Sequence, residues 1–415
     1  MEAVVERCCG LDVHQATVVA CVLAGPPGRK PRKEVRTFGT MTRDLEALRG
    51  WPAAEGVTHV AMESTGVHWK PAYAILEGHF ELIVGNAHHI KSVPGRKTDV
   101  RDAEWIGDLL RHGLIKPSFV PPPEIRELRD LVRYRRALVE TQATERNRVL
   151  KLLEGANIKL SSVAADVFGV SGLAMLKALA AGTSSPTRMA DLARGVLRRK
   201  LEPLALALEG RFGEHHRYLL ALHLRRLEAM QAELAELEAR IEERVRAFQH
   251  QRDRLLQIPG IDRSIASSIL AEIGVDMAVF GTAKRLAAWA GVCPANHESA
   301  GRRKGTTTRK GNVHLKTALV NAAMSAIKQK GSYYKAKYYR LKARRGAKRA
   351  AMAIAHKILV AAFHMLLSDI PFRELGEAFL DQHAKRRITA GLLRRLNALG
   401  YEVMLRACLK ILSRW

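Results

Sequence analysis

Residues 10–23 read GLDVHQATVVACVL. Two valine-rich stretches flank a short polar break, which predicts two strands joined by a tight turn. Asp12 then stands at the end of the first strand. Working outward, GPPGRKPRK (25–33) is a turn and EVRTFGT (34–40) a third strand. TRDLEALRGW (42–51) has helical spacing, and THVAMEST (58–65) is a fourth strand with Glu63 near its end. Residues 68–78 suit a helix and ELIVGNA (81–87) a fifth strand. TDVRDAEWIGDLLRHG (98–113) is an amphipathic helix with Thr98 as its N-cap. A strand hairpin followed by alternating helices and strands predicts an α/β domain, a mixed sheet flanked by helices.

Pro121, Pro122 and Pro123 close that domain. A helical middle follows. From Leu220 the apolar positions run Leu224, Leu227, Met230, Leu234, Leu237, Ile241, Val245 and Phe248. Steps of three and four over this length mark a coiled coil or a long helical hairpin. Packing within the chain and a contact between subunits both fit. The expected division is 1–120 for the α/β domain, 121–250 for the helical linker and coiled coil, 251–371 for a mainly helical C-terminal domain, and 372–415 for a helical tail.

The 415 residues carry 68 Lys and Arg against 41 Asp and Glu, a net charge of +27. That excess suits a phosphate backbone, although membrane-surface and ribosomal-type proteins share it. Residues 299–368 hold no acid at all but 17 Lys or Arg, unlike an ordinary mixed-sign surface. No run of about 18 apolar residues or signal-peptide layout is seen. The five cysteines form no CxxC pair, which fits free thiols in a reducing cytosol. No histidine pair has zinc spacing with cysteine, and no Walker loop is present.

Against this basic background, Asp12, Glu63, Asp99 and Asp102 form an acidic set in the first quarter of the chain. Mg²⁺ prefers carboxylate oxygen, and two ions about 4 Å apart can serve phosphoryl transfer. Asp12 and Glu63 end strands, and Asp99 and Asp102, three apart, share a helix face. If that helix packs by the strand ends, all four converge. Taken singly, each is an ordinary turn residue or helix cap.

GLDVHQATVVACVL, AMESTGVHW (61–69) and GRKTDVRDAEWIGDLLRHGLIKPSFVPP (95–122) resemble the N-terminal domain of DEDD-type transposases of the insertion-sequence-110 family. The likeness continues through ELRDLVRYRRALV (127–139) and into the C-terminal block, and is weakest between about 156 and 210. It implies an RNase H-like first domain, similar to Holliday-junction resolvases, with Asp12, Glu63, Asp99 and Asp102 as ligands of Mg²⁺ or Mn²⁺. HESAGRRKGTTTRKGN (297–312) resembles the family's second signature, and Ser299 occupies the place of its nucleophile. By the same resemblance the partners are DNA, a structured non-coding guide RNA and further copies of the chain, in a bacterial or archaeal cytoplasm at the nucleoid.

Read as residues alone, Ser299 is a turn serine in a Gly-rich loop. Arg302, Arg303, Lys304, Arg309 and Lys310 surround it, interspersed with glycines that let backbone N–H groups approach phosphate. Further on, Tyr333, Tyr334, Tyr338 and Tyr339 alternate with Lys335, Lys337 and Arg340. That pattern suits stacking on bases, or else a tyrosine-lined core. IPGIDRSIASSIL (258–270) resembles a helix-hairpin-helix, with Asp262 where a second glycine is usual. With the resemblance, the reading is a transposase, a site-specific recombinase acting through a serine–DNA bond; the alternatives are a junction-resolving nuclease using water and a non-catalytic nucleic-acid scaffold.

Overall fold

The computed structural model describes residues 3–87, 90, 102–295, 298–299, 302–303 and 307–404, with the backbone alone at 298–299, 302–303, 382–384 and 386–388. The chain divides into two compact units, Met1–Val120 and Pro121–Trp415.

In the first unit β1 (Arg7–Val13), β2 (Thr17–Ala24) and β3 (Arg32–Gly39) form an antiparallel meander. The β1–β2 turn closes with His14 N–H donating to Thr17 O at 2.9 Å. Helix α1 (Thr42–Ala54) carries the chain to β4 (His59–Glu63), parallel to β1. Helix α2 (Trp69–Leu76) leads to β5 (Glu81–Gly85), parallel to β4. The sheet order is β3-β2-β1-β4-β5, the mixed sheet expected from the pattern of elements.

Strand alternation divides the core into two layers. Cys9, Leu11, Val18, Ala20, Val60 and Met62 pack beneath α1 and α2, through Leu45, Leu48, Trp51, Ala72 and Leu76. Cys8, Cys21, Leu23 and Ala61 face the other way, toward Ala103, Ile106, Leu109 and Leu110 of α3 (Asp102–Arg111). Residues 98–101 of the expected helix, with Thr98 and Asp99, lie outside the described residues.

Two glycines set how closely α3 lies on the sheet. A Cβ on Gly10 would stand 2.2 Å from Ala103 O and 2.3 Å from Gly107 N, and Gly107 itself lies 3.4 Å from Gly10 N by the same measure. At its C-terminal end the buried Arg111 guanidinium donates to the carbonyls of Glu6, Gly25 and Pro26, each at 3.0 Å. The helix therefore runs antiparallel to β1, and its first turn comes to the strand's C-terminal end.

In the second unit α4 (Pro123–Gly155) and α6 (Glu214–Val245) pair antiparallel. The pairing is marked by Glu127 with Arg244 (3.1 Å), Gln142 with Gln231 (3.2 Å) and Glu145 with His223 (2.7 Å). Leu220, Leu224, Leu227, Met230, Leu234, Ile241 and Val245 are buried inside the same chain. The heptad-like stripe is thus the seam of a helical hairpin. Between its arms, residues 156–213 form a small helical cluster built around α5 (Val170–Ala181).

Beyond the hairpin come α7 (Gln249–Leu256), α8 (Arg263–Ile273), α9 (Ala283–Trp289), α10 (Val313–Ala326), α11 (Tyr333–Arg345), α12 (Ala347–Ser368) and α13 (Phe379–Ala398). Helix α12 is long and apolar enough by composition to cross a membrane, which counting uninterrupted apolar residues missed. Here it is a core helix, with Ile354, Ile358, Leu359 and Phe363 buried.

Candidate active site and nucleic-acid interface

The parallel register sets Leu11 beside Met62. One residue further, Asp12 and Glu63 stand level on adjacent strands. Both belong to the set alternating with Leu11 and Met62, so both are on the α3 face. Asp102 opens α3 at that same end of the sheet, half-buried. Gly10, two residues before Asp12, is what lets the helix come down this far; the sequence showed only a glycine in a strand.

His14 Nε2 lies 3.0 Å from Asp12 Oδ2, and Thr65 Oγ1 donates to Glu63 Oε1. The neighbouring Glu104 is taken up by Lys33 at 2.8 Å. Carboxylates are the donor type a hard divalent cation prefers. Among the described residues, however, no three His, Cys, Asp or Glu side chains gather as a metal-holding group. The fourth expected ligand, Asp99, lies outside the described residues.

Ser299 lies in the other unit, on a hairpin. β6 (Glu298–Ser299) pairs antiparallel with β7 (Arg302–Arg303), so Glu298 is opposite Arg303 and Ser299 opposite Arg302. The base of the hairpin is closed by a bridge between Pro294 and Thr308, by Ala295 N–H donating to Thr307 O (2.9 Å), and by Lys316 Nζ donating to Thr308 Oγ1 (2.7 Å). Ser299 is therefore near a hairpin tip, with Arg309 and Lys310 exposed at the base. Lys304 lies outside the described residues.

The chain then enters α10 through Asn312, whose Oδ1 accepts from Leu315 N–H (3.0 Å) and whose Nδ2 donates to Glu272 Oε2 (2.6 Å). Glu272 is buried and also accepts from Arg133 Nε and Nη2, each at 2.8 Å. Burial alone would raise its pKa. The hydrogen bonds from Arg133 and Asn312, with the charge of Arg129, outweigh burial and hold it below the usual value. No sequence signal marked this junction, because its members come from three separate helices and a loop.

The tyrosine-rich helix α11 corrects part of the expected interface. Tyr334 and Tyr338, one helical turn apart, are 3% and 6% exposed. Tyr334 stacks on Phe372, and burial pushes its phenol pKa up. It is a core residue and not a surface for bases. Tyr339 is exposed, Tyr333 is half-buried against Phe379, and Arg340 is paired with Asp381. Lys335 and Lys337 are half-buried. Burial, reinforced by Lys357, Arg344 and Arg340, lowers the Lys337 pKa.

The helix-hairpin-helix segment is also turned to packing. Gly260 has φ +86°, and a Cβ there would stand 2.2 Å from Ala322 O of α10. Asp262 caps α8 by accepting from Ile265 N–H at 2.8 Å.

Residues 9–158 match a family model described as "Transposase", the DEDD type of the IS110 group, and residues 252–340 match one described as "Transposase IS116/IS110/IS902 family". The chain belongs to this transposase family. It is similar to a "Probable family 20 transposase" of Pseudomonas aeruginosa, 26% identical over 65% of this chain and 71% of that protein. It is also similar to the "Insertion element IS900 uncharacterized 42 kDa protein" of Mycobacterium paratuberculosis, 30% identical over 55% of this chain and 63% of that one. The first match takes in Asp12, Glu63, Asp99 and Asp102. The second takes in Ser299, the basic hairpin and the start of α11. As a member of the family the transposase is an enzyme of DNA transposition, in the class that cleaves DNA.

Proposed function

We propose that this transposase exchanges DNA strands through a covalent bond between DNA and Ser299. The observation that carries the reading is the level placement of Asp12 and Glu63 on adjacent parallel strands, with the first turn of α3 brought to the same end. Asp12, Glu63, Asp99 and Asp102 would hold Mg²⁺, one ion or two, with Mn²⁺ able to replace it. When bound, the metal supplies charge that stabilises the scissile phosphate and the leaving oxygen. The order β3-β2-β1-β4-β5, a meander followed by parallel crossovers, supports an RNase H-like first domain. The four-part division expected from sequence remains our reading, with the hairpin tip of the third part presenting the serine.

In the reaction Ser299 Oγ bonds to phosphorus and its proton passes to a base. The bond from phosphorus to the leaving sugar oxygen breaks, and that oxygen takes up a proton. The phosphoserine ester keeps the phosphodiester energy available for rejoining. Arg302, Arg303, Lys304, Arg309 and Lys310 hold the strand backbone near the bond, and Lys335, Lys337, Arg340 and the exposed parts of Tyr333 and Tyr339 extend the surface. A structured RNA of the element guides the choice of sites, in a bacterial cytoplasm at the nucleoid. Because Ser299 and the carboxylates belong to different units, the serine is supplied within one chain or by a sister subunit. Mixing Ser299→Ala and Asp12→Ala proteins separates these routes, since only the second restores activity.

The test is incubation with Mg²⁺, labelled element-end DNA and candidate RNA, followed by a denaturing gel. A protein–DNA adduct that disappears in Ser299→Ala, with DNA binding retained, is the expected result. Free nicked ends that persist in Ser299→Ala would show a water-using nuclease instead. Cleavage-independent binding untouched by Asp12→Ala and Glu63→Ala, with no cutting by the parent protein, would show a scaffold.

A further inference from the structure

A cavity of about 530 Å³ opens in the second unit where α4, α6, α8 and α10 meet. Its lining includes none of the four carboxylates and no residue of the Ser299 hairpin, and no role described above uses it. We propose that it receives one nucleotide turned out of a strand held by the basic hairpin. The inference rests on the nucleic-acid reading above and adds a binding site to it.

Size and lining point to such a ligand. Sites for small molecules of this volume are mostly apolar, with a few placed polar groups. Val139, Ile241 and Ile265 supply apolar wall, while Ser264, Thr317 and Asn321 supply hydrogen-bonding edge. The acidic lining groups do not leave the cavity hostile to phosphate, because each is matched by a cation. Glu272 is held by Arg133, Glu238 by Arg135, Glu140 by Arg136 and Glu242 by Arg252. Arg263 lines the cavity and makes no ion pair among the described residues. The four arginines and four glutamates of the lining balance, and the exposed Arg263, whose charge also acts on Glu242, is the one placed to meet a phosphodiester.

Position points the same way. The wall residues His314 and Thr317 lie in the first turns of α10, and His314 is four residues after Lys310 of the basic segment. Arg136, also in the wall, reaches Val313 O at 3.5 Å. A strand tracking Arg309 and Lys310 therefore passes the site. An unpaired nucleotide enters most readily, because it has the least stacking and pairing to lose.

The test uses the full chain with single-stranded DNA carrying 2-aminopurine at successive positions, and with the RNA counterparts. Anisotropy reads total binding, and 2-aminopurine emission reads unstacking of one base. The expected result is a several-fold brightening confined to one position, in the DNA or the RNA series, which identifies the strand. Thr317→Trp, which projects an indole from the wall into the cavity, abolishes the brightening while total affinity stays within about threefold, because backbone contacts supply most of it. Arg263→Ala weakens the brightening and lowers the salt slope of binding by about one. If Thr317→Trp fails to fold by circular dichroism, Arg263→Ala decides the matter, and unchanged brightening there overturns the proposal. Binding without a bright position, or brightening that survives Thr317→Trp, overturns the cavity site alone. Absence of binding to either strand overturns it together with the nucleic-acid reading.

Discussion

Two glycine-to-alanine changes of the same chemistry should act in opposite directions. In Gly10→Ala the new Cβ meets Ala103 O at 2.2 Å and Gly107 N at 2.3 Å, both backbone atoms of α3. Ordinary contact begins near 3.4 Å, so the helix must move about 1 Å from the sheet, a distance a close-packed interior resists. Overpacking of this kind costs about 1–3 kcal/mol, and a backbone neighbour that cannot rotate aside puts the expected loss near the top of that range. Gly50, inside α1, has nothing within 4 Å of its virtual Cβ and no positive φ. Alanine there should stabilise by about 0.5–1 kcal/mol through helix propensity. Urea denaturation of the full chain, followed by tryptophan fluorescence, measures both. In Gly10→Ala the displaced first turn of α3 should also depress Mg²⁺-dependent cleavage more than the stability loss alone explains, assayed well below the melting temperature. Equal stability of Gly10→Ala and the parent would refute the close helix–strand contact and the site built upon it.

Glu272→Gln removes the charge that joins Arg133, Arg129 and Asn312 in one buried junction. Breaking one side of a buried pair costs about 3–5 kcal/mol. The lower end is expected because the Arg133 side chain keeps 37% exposure, and the urea midpoint reads it. The acid limb of stability should depend on the same group and on Glu145. Burial opposes ionisation of Glu145, but His223 and Arg148 hydrogen bonds and the Arg226 charge hold its pKa below 4.5, as the partners of Glu272 do for that residue. Carboxyls depressed in the folded state stabilise it above the unfolded pKa near 4.5 and lose that contribution as pH falls through their folded values. Urea midpoints between pH 7 and pH 3 should fall on the acid side, and less steeply in Glu272→Gln. Tyr334→Ala should cost about 3–5 kcal/mol as a core truncation. Tyr339→Ala should leave the melting temperature nearly unchanged and weaken nucleic-acid binding.

Much of the first unit was legible in the chain itself. Valines around Asp12 and Glu63 specify strands because branched side chains suit a pleated, buried surface, and the apolar period of 102–111 specifies a helix. The stripe from Leu220 to Val245 announced a helical seam, but not which partner fills it, since one face accepts an arm of the same chain or a second copy equally well. Tyr333 to Tyr339 posed a similar ambiguity. Helical geometry sends Tyr334 and Tyr338 inward and leaves Tyr339 outside, and only the position of the core says which face is which.

Local propensity and charge are properties of neighbouring residues, so the order of elements, the basic acid-free block and the acidic candidates could be read from sequence alone. Which side chains meet is a matter of register and long-range packing. That Asp12 stands level with Glu63 follows from strand pairing across 51 positions. That α3 descends onto β1 follows from two glycines 97 residues apart, and that Glu272 is charged yet buried follows from partners on α4 and before α10. Contacts between segments so distant in the chain leave no local pattern, which is why tertiary structure alone decided them.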